Sequence, residues 1–116
     1  MSEHRVLVCG GREYGDRYSV YRTLDDMSPK PTMIIHGGAH GADMLAHDWA
    51  VYRQIPRRVF MADWANQGRS AGPLRNARML VEGKPHIVIA FPGGRGTADM
   101  VRKAKVAGVP VIEVGR

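Results

Sequence analysis

The run Ile87-Val-Ile-Ala-Phe-Pro-Gly-Gly-Arg-Gly-Thr-Ala-Asp-Met100 constrains the fold more than any other stretch of this chain. An apolar strand pattern passes straight into a glycine cluster, and the cluster opens a helix pattern. Glycine lets the backbone turn sharply and approach a ligand closely, while the first N–H groups of a helix have no partner within it. The helix dipole adds partial positive charge at the same point, so a phosphate or another anion is the natural guest.

Four further segments repeat the strand signal, giving predicted strands at Arg5–Cys9, Thr32–His36, Arg57–Met61, Ile87–Phe91 and Val109–Val114. Val, Ile and Leu dominate most of them without clean polar alternation, as expected of strands covered on both faces. Helices are predicted at Arg17–Met27, Ala42–Arg53, Ser70–Glu82 and Thr97–Ala107. Gly108-Val-Pro110 stops the last helix and opens the last strand. Strand–helix alternation implies right-handed βαβ units. The expected fold is a Rossmann-like three-layer α/β/α sandwich with a parallel five-stranded sheet in the order 3-2-1-4-5. The chain has 116 residues and no visible linker, repeat or low-complexity segment, so residues 1–116 are read as a single domain.

That strand order sets the ends of the first and fourth strands side by side, where open α/β sheets bind ligands. Both strands run into the same tripeptide, Gly10-Gly11-Arg12 and Gly93-Gly94-Arg95, and the second runs into Gly37-Gly38. Three glycine turns at one sheet edge exceed what strand–helix connection requires. A backbone-lined anion site is therefore expected, with Pro92, Gly96 and Thr97 completing the last turn. Arg75 and Arg78 are three apart and share a helical face, with Asn76 beside them at the expected helix start. Arginine's planar fork suits bidentate phosphate binding, although a solvated basic face accounts for the same spacing. Trp64 either stacks on a base or caps the core.

The formal net charge of +6 favours anionic partners: nucleotides, nucleic acid or an acidic protein. The basic residues are scattered, which a solvated cationic surface explains equally well. A single cysteine, Cys9, rules out an intramolecular disulfide, and its place at the end of a strand suits a small buried thiol. The opening Met-Ser-Glu-His-Arg has no apolar signal region and no stretch reaches membrane-spanning length. A cytoplasmic chain with no membrane partner is expected.

His36, His40 and His47 with Asp43 invite a metal reading, but no His-Glu-x-x-His pattern or cysteine ligand supports it. Asp43 and His47 are four apart on one helical face, and a hydrogen-bonded Asp–His pair that ties helix to loop is the preferred expectation. No metal or cofactor is expected. Asp99, in the first turn of the last helix, suits dipole stabilisation or capping. It is also the candidate to bond a ribose hydroxyl or stabilise a cationic sugar. No Ser-His-Asp arrangement or Walker lysine motif can be assembled.

Together these segments resemble the SLOG superfamily. Pro92-Gly93-Gly94-Arg95-Gly96-Thr97 is similar to the Pro-Gly-Gly-x-Gly-Thr motif of the LOG phosphoribohydrolases. Gly38-Ala39-His40-Gly41-Ala42-Asp43 with Ala46-His47, and Arg75-Asn76 with Arg78, are similar to segments of the DNA-processing protein DprA/Smf. The opening Cys9-Gly-Gly-Arg12, Ala62-Asp63-Trp64 and Ala71-Gly-Pro-Leu-Arg-Asn76 bring the chain nearest to the compact YspA/cpYpsA-related group. The resemblance implies a nucleotide or nucleotide-derived ligand, AMP-like or ADP-ribose-like, held by a sensor or a nucleotide-processing protein. It also implies a homodimer.

Two alternatives accompany that expectation. One is LOG-like cleavage of the N-glycosidic bond of a nucleoside 5′-monophosphate, with Asp99 as the catalytic group. In LOG the motif continues to a pair of glutamates, the second catalytic; here the matching positions are Asp99 and Met100, and methionine carries no carboxylate. The other is DprA-like binding of single-stranded nucleic acid, which the net charge and the Arg75-Asn76-x-Arg78 segment motivate.

Overall fold

The computed structural model describes residues 3–115. Five parallel strands, β1 (Arg5–Cys9), β2 (Met33–His36), β3 (Arg57–Val59), β4 (Ile87–Ala90) and β5 (Val111–Glu113), form one sheet in the order β3-β2-β1-β4-β5. This is the expected order. Helices α1 (Arg17–Asp25), α2 (Ala42–Arg53), α4 (Ala71–Val81) and α5 (Arg95–Val106) make the crossovers, and a one-turn helix α3 (Trp64–Gln67) precedes α4.

Strand alternation sorts the core into two halves. Val6 and Val8 face α1 and α2, where Val20, Leu24, Ala46 and Trp49 pack with Ile34, Ile89 and Phe91. Leu7 and Cys9 face the opposite side, with Ile35, Val88, Met79 of α4, and Met100 and Ala104 of α5. The period of two along β1 thus supplies both faces of a three-layer sandwich. Central strands are buried on both sides, whereas all three residues of edge strand β3 are exposed. Its two arginines suit an edge that must not pair with another chain.

Local chemistry explains most boundaries. Asp16 caps α1 by accepting from Ser19 N at 3.0 Å. Pro73 lies in the first turn of α4, where its missing N–H costs nothing. Gly108, at φ +77°, follows the end of α5. The outer strands are shorter than expected, yet Phe60 N still donates to His36 O (2.9 Å) and Val114 N to Ala90 O (2.8 Å). α5 begins at Arg95, two residues earlier than the sequence suggests, so Thr97 lies within its first turn.

Gly41 shows what the sheet edge demands. It sits at φ +79°, ψ −128°, and a Cβ there would run into the carbonyl of Gly11. Both the backbone conformation and the space exclude a side chain. Gly41→Ala is expected to lower stability by about 2 kcal/mol or more. The check is a urea titration, with a midpoint within error of the parent as the contrary result.

Candidate functional site

β1 and β4 are neighbours in the sheet, and their outgoing loops are joined directly: Gly11 N donates to Pro92 O at 2.9 Å. The Gly11 carbonyl accepts from Ala42 N, the first residue of α2, at 3.2 Å. Gly93 lies so near Gly11 N and Thr97 Oγ1 that a Cβ would collide with both. Beside this junction opens a crevice of about 300 Å³. Gly10, Gly11 and Arg12 line it from β1, Asp43 from α2, Arg75 and Asn76 from α4, and Gly94–Thr97 from α5. Cys9 and Met79 also line it.

The glycine turns are not equivalent donors. After β2, Gly37 N and Ala39 N both donate to Asp43 Oδ2 (2.8 and 3.3 Å), and Gly38 N donates to His36 Nδ1 (3.0 Å). Those amides are already spent. No side chain caps α5, and no hydrogen-bond partner among the described residues takes up the amides of 95–97. With the helix dipole behind them, they form the strongest anion-facing element of the crevice.

Charged groups around the crevice are strongly conditioned by burial. Asp43 is 5% exposed. Burial pushes its carboxyl up to about 6, against the pull of the Gly37 and Ala39 amides and of Arg75 and Arg12. His36 is buried beneath it, and burial with the neighbouring His47, Arg57 and Arg75 pushes its imidazole down to about 4. Since His36 Nδ1 accepts from Gly38, its Nε2 carries the proton and donates to His47 Nδ1 at 2.9 Å. Burial also raises the Cys9 thiol to about 12, so it is no nucleophile.

Several expectations change. Asp43 and His47 do not bond each other: Asp43 turns to the β2 loop amides, while His47 turns to His36. Asn76 lies in the middle of α4, not at its start. It is buried, and its Nδ2 donates to Gly96 O (3.2 Å) and Asp99 Oδ2 (3.0 Å), tying α4 to the first turn of α5. Arg75 donates to Gly37 O and to Asn76 Oδ1 while still lining the crevice. Arg78 instead donates to Met61 O at 3.0 Å, with its guanidinium over Phe60. It is not among the crevice-lining residues, nor are Gly37 and Gly38, which line a neighbouring slot. Pro92 and Gly93 line the far side of the β1–β4 junction.

Asp99 is likewise outside the crevice lining. Its oxygens accept from Arg102 at 2.6 Å and Lys103 at 2.6 and 2.7 Å, besides Asn76. Partial burial would raise this carboxyl, but the bonds from Lys103 and Asn76 outweigh it and hold it below its ordinary value. Met100 is fully buried in the core. Met61 was missed from the sequence and His40 was weighed only as a metal ligand; both gather with Trp64 and Arg12 where β3 and β2 run out. The signal was available: the third strand ends at the same sheet edge as the other two, so whatever follows it belongs to the ligand face.

A parallel sheet of this order, with glycine turns knotted at its switch point, defines a Rossmann-like α/β domain. The chain belongs to the YspA, cpYpsA-related SLOG family (YAcAr), whose model matches residues 4–66. It is 41% identical over 121 residues to the Gene 61 protein of Mycobacterium phage D29, covering 96% of each chain. A shorter stretch of 74 residues is 38% identical to a 3-methyl-2-oxobutanoate hydroxymethyltransferase of Pyrobaculum aerophilum, covering 61% of this chain and 28% of that one. The fold is similar to DNA processing protein A (DprA) from Streptococcus pneumoniae, with a TM-score of 0.79 at 19% identity. That match covers 98% of this chain and 51% of DprA, so the chain spans about half of DprA's length. No helix of the described residues is long and apolar enough to cross a membrane.

The buried Asp43 and His36 pull stability in opposite directions with pH. A carboxyl raised on folding to about 6 stabilises fully below its unfolded value of 3.8, and that contribution is lost as pH rises through 6. An imidazole lowered on folding to about 4 stabilises fully above its unfolded 6.5 and loses that as pH falls. In Asp43→Asn only the histidine contribution remains. Its stability relative to the parent is expected to fall by about 2 kcal/mol between pH 7 and pH 4. Parallel urea titrations at the two pH values test this; a pH-independent difference would place Asp43 in an ordinary, solvated environment.

Proposed function

We propose that this protein binds a nucleotide or nucleotide-derived ligand, AMP-like or ADP-ribose-like, with a phosphate at the start of α5. The observation that carries the reading is the uncapped first turn of α5 opening on a crevice that also holds Arg12, Arg75 and Arg95. Free amides, a dipole and planar guanidinium forks together are phosphate chemistry. Arg12 and Arg95 are exposed and draw the anion in; Arg75, half-buried and tied to Gly37 O, is a fixed charge at the wall. The crevice volume, about 300 Å³, lies at the lower end of the roughly 300–1,000 Å³ of small-ligand sites. Asp43 is the carboxylate in its lining and suits a ribose hydroxyl, since its Oδ1 carries no bond from the β2 loop.

Binding is favoured over LOG-like cleavage. An oxocarbenium-like state needs a carboxylate facing the sugar. Met100 offers none and Asp99 is engaged by Asn76, Arg102 and Lys103. DprA-like binding of single-stranded nucleic acid draws on the same basic face and the shared fold. It differs in making many phosphate contacts, so its affinity falls steeply with salt.

Calorimetry against AMP and ADP-ribose is expected to give saturable binding that weakens about tenfold or more in Arg12→Ala, a loss of about 1.4 kcal/mol or more. Absence of binding at millimolar ligand would reject the reading. A nucleoside monophosphate panel is expected to release no free base. Release that disappears in Asp99→Asn would make the protein a hydrolase, and tight, steeply salt-dependent binding of an oligonucleotide would favour the nucleic-acid reading.

A further inference from the structure

We propose that the slot beside Trp64 is a nucleobase subsite, continuous with the phosphate crevice and selecting ligands that carry an aromatic base. The inference rests on the reading of the crevice as a phosphate site and adds what the rest of the ligand is. The slot, about 180 Å³, is lined by Trp64, Met61, His40 and the Gly37–Ala39 backbone, with Arg12 and Arg75. Arg12, Ala39 and Arg75 line both it and the crevice, so the two are compartments of one cleft. A ligand whose phosphate sits at α5 has its other end directed along Arg12 into this slot.

Its walls suit a flat π-system. The Trp64 indole is half exposed, at 50%, although its edge is fixed against Gly72 with Cη2 3.3 Å from the position of a Cβ there. Met61, 62% exposed, adds a polarizable sulfur next to it. The Arg12 guanidinium stands 5.9 Å from the indole centroid, within reach of the ring face. A base entering beside the indole meets an aromatic face and a planar cation together, a combination that holds bases with little regard for sequence.

Two tryptophans make the test direct. Trp49 is 3% exposed and its Nε1 donates to Asp25 at 2.9 Å, so its emission is insulated from ligand. Quenching therefore reports Trp64. AMP is expected to quench the intrinsic fluorescence and to bind about tenfold more tightly than ribose 5-phosphate, which binds without quenching. Trp64→Ala is expected to bring AMP down to the affinity of ribose 5-phosphate and to leave ribose 5-phosphate unchanged, while Trp64→Phe keeps most of the difference. Equal affinities with no quenching would overturn the base subsite and leave the phosphate crevice standing. Failure of both ligands to bind would overturn the crevice as well.

Discussion

Gly11 is the residue on which the rest of the site depends. Its N–H donates to Pro92 O and its carbonyl accepts from Ala42 N, so a single residue just past β1 fixes the exit of β4 and the start of α2. The same carbonyl also accepts from Tyr14 N at 3.2 Å, closing the turn that leads into the α1 connection. Such a knot forms only if the flanking backbones come into contact, which removes side chains at Gly41 and Gly93. Gly11, Gly41 and Gly93 thus serve close approach of one backbone to another. Space for a ligand follows from where those contacts hold the loops. A cleft set by main-chain geometry is pre-organised, and little ordering cost remains when a ligand enters.

Around that knot, buried polar groups are matched to backbone partners. Asp43 holds the β2 loop by two amides, His36 takes a third, and Arg75 closes the loop's Gly37 carbonyl from α4. No buried side-chain nitrogen or oxygen among the described residues lacks a partner. This matters because a half-satisfied polar network costs more than an apolar filling would. The arrangement also explains why the β2 turn is not an anion site although it looks like one: its donors face inward to a carboxylate. One glycine-rich turn serves the protein's own acid, and the other, at α5, is left open.

Much of the fold was legible because the determining signals are local. α2 was read to the residue, with Gly41 ahead of it and Gln54 in the left-handed region closing it. Alternation and handedness gave the parallel βαβ units, while the order itself came from likeness to doubly wound folds. Edge strands were drawn too long, since at an edge the ladder ends where one neighbour ends and hydrophobicity carries no sign of that. Helix α3 is a single turn, capped by Asp63 accepting from Asn66 N, and too short for periodicity to register. In the site, spacing located the glycine turns but could not assign side-chain partners. An i,i+4 relation allowed Asp43 to meet His47; the amides of Gly37 and Ala39, one and three residues beyond β2, offered a better-placed set of donors. Asn76 left a readable trace, a polar residue on the same stripe as Gly72 and Met79, all three buried. A polar group on an apolar stripe implies a specific partner, and here it is the start of α5.

The first turn of α5 is where binding and cutting part company. Residues 99 and 100 lie about 100° apart around the helix. Position 100 points into the core between β1 and α4, and position 99 points along α4 to Asn76 while its own helix supplies Lys103 and Arg102. Neither orientation serves a reacting sugar, and a carboxylate placed at position 100 would have to be buried without a partner. The amides of the same turn face the crevice regardless of which side chains follow, because they belong to the helix end and not to its faces. The free amides at the start of α5 are therefore independent of position 100, whose side chain is absorbed into the core.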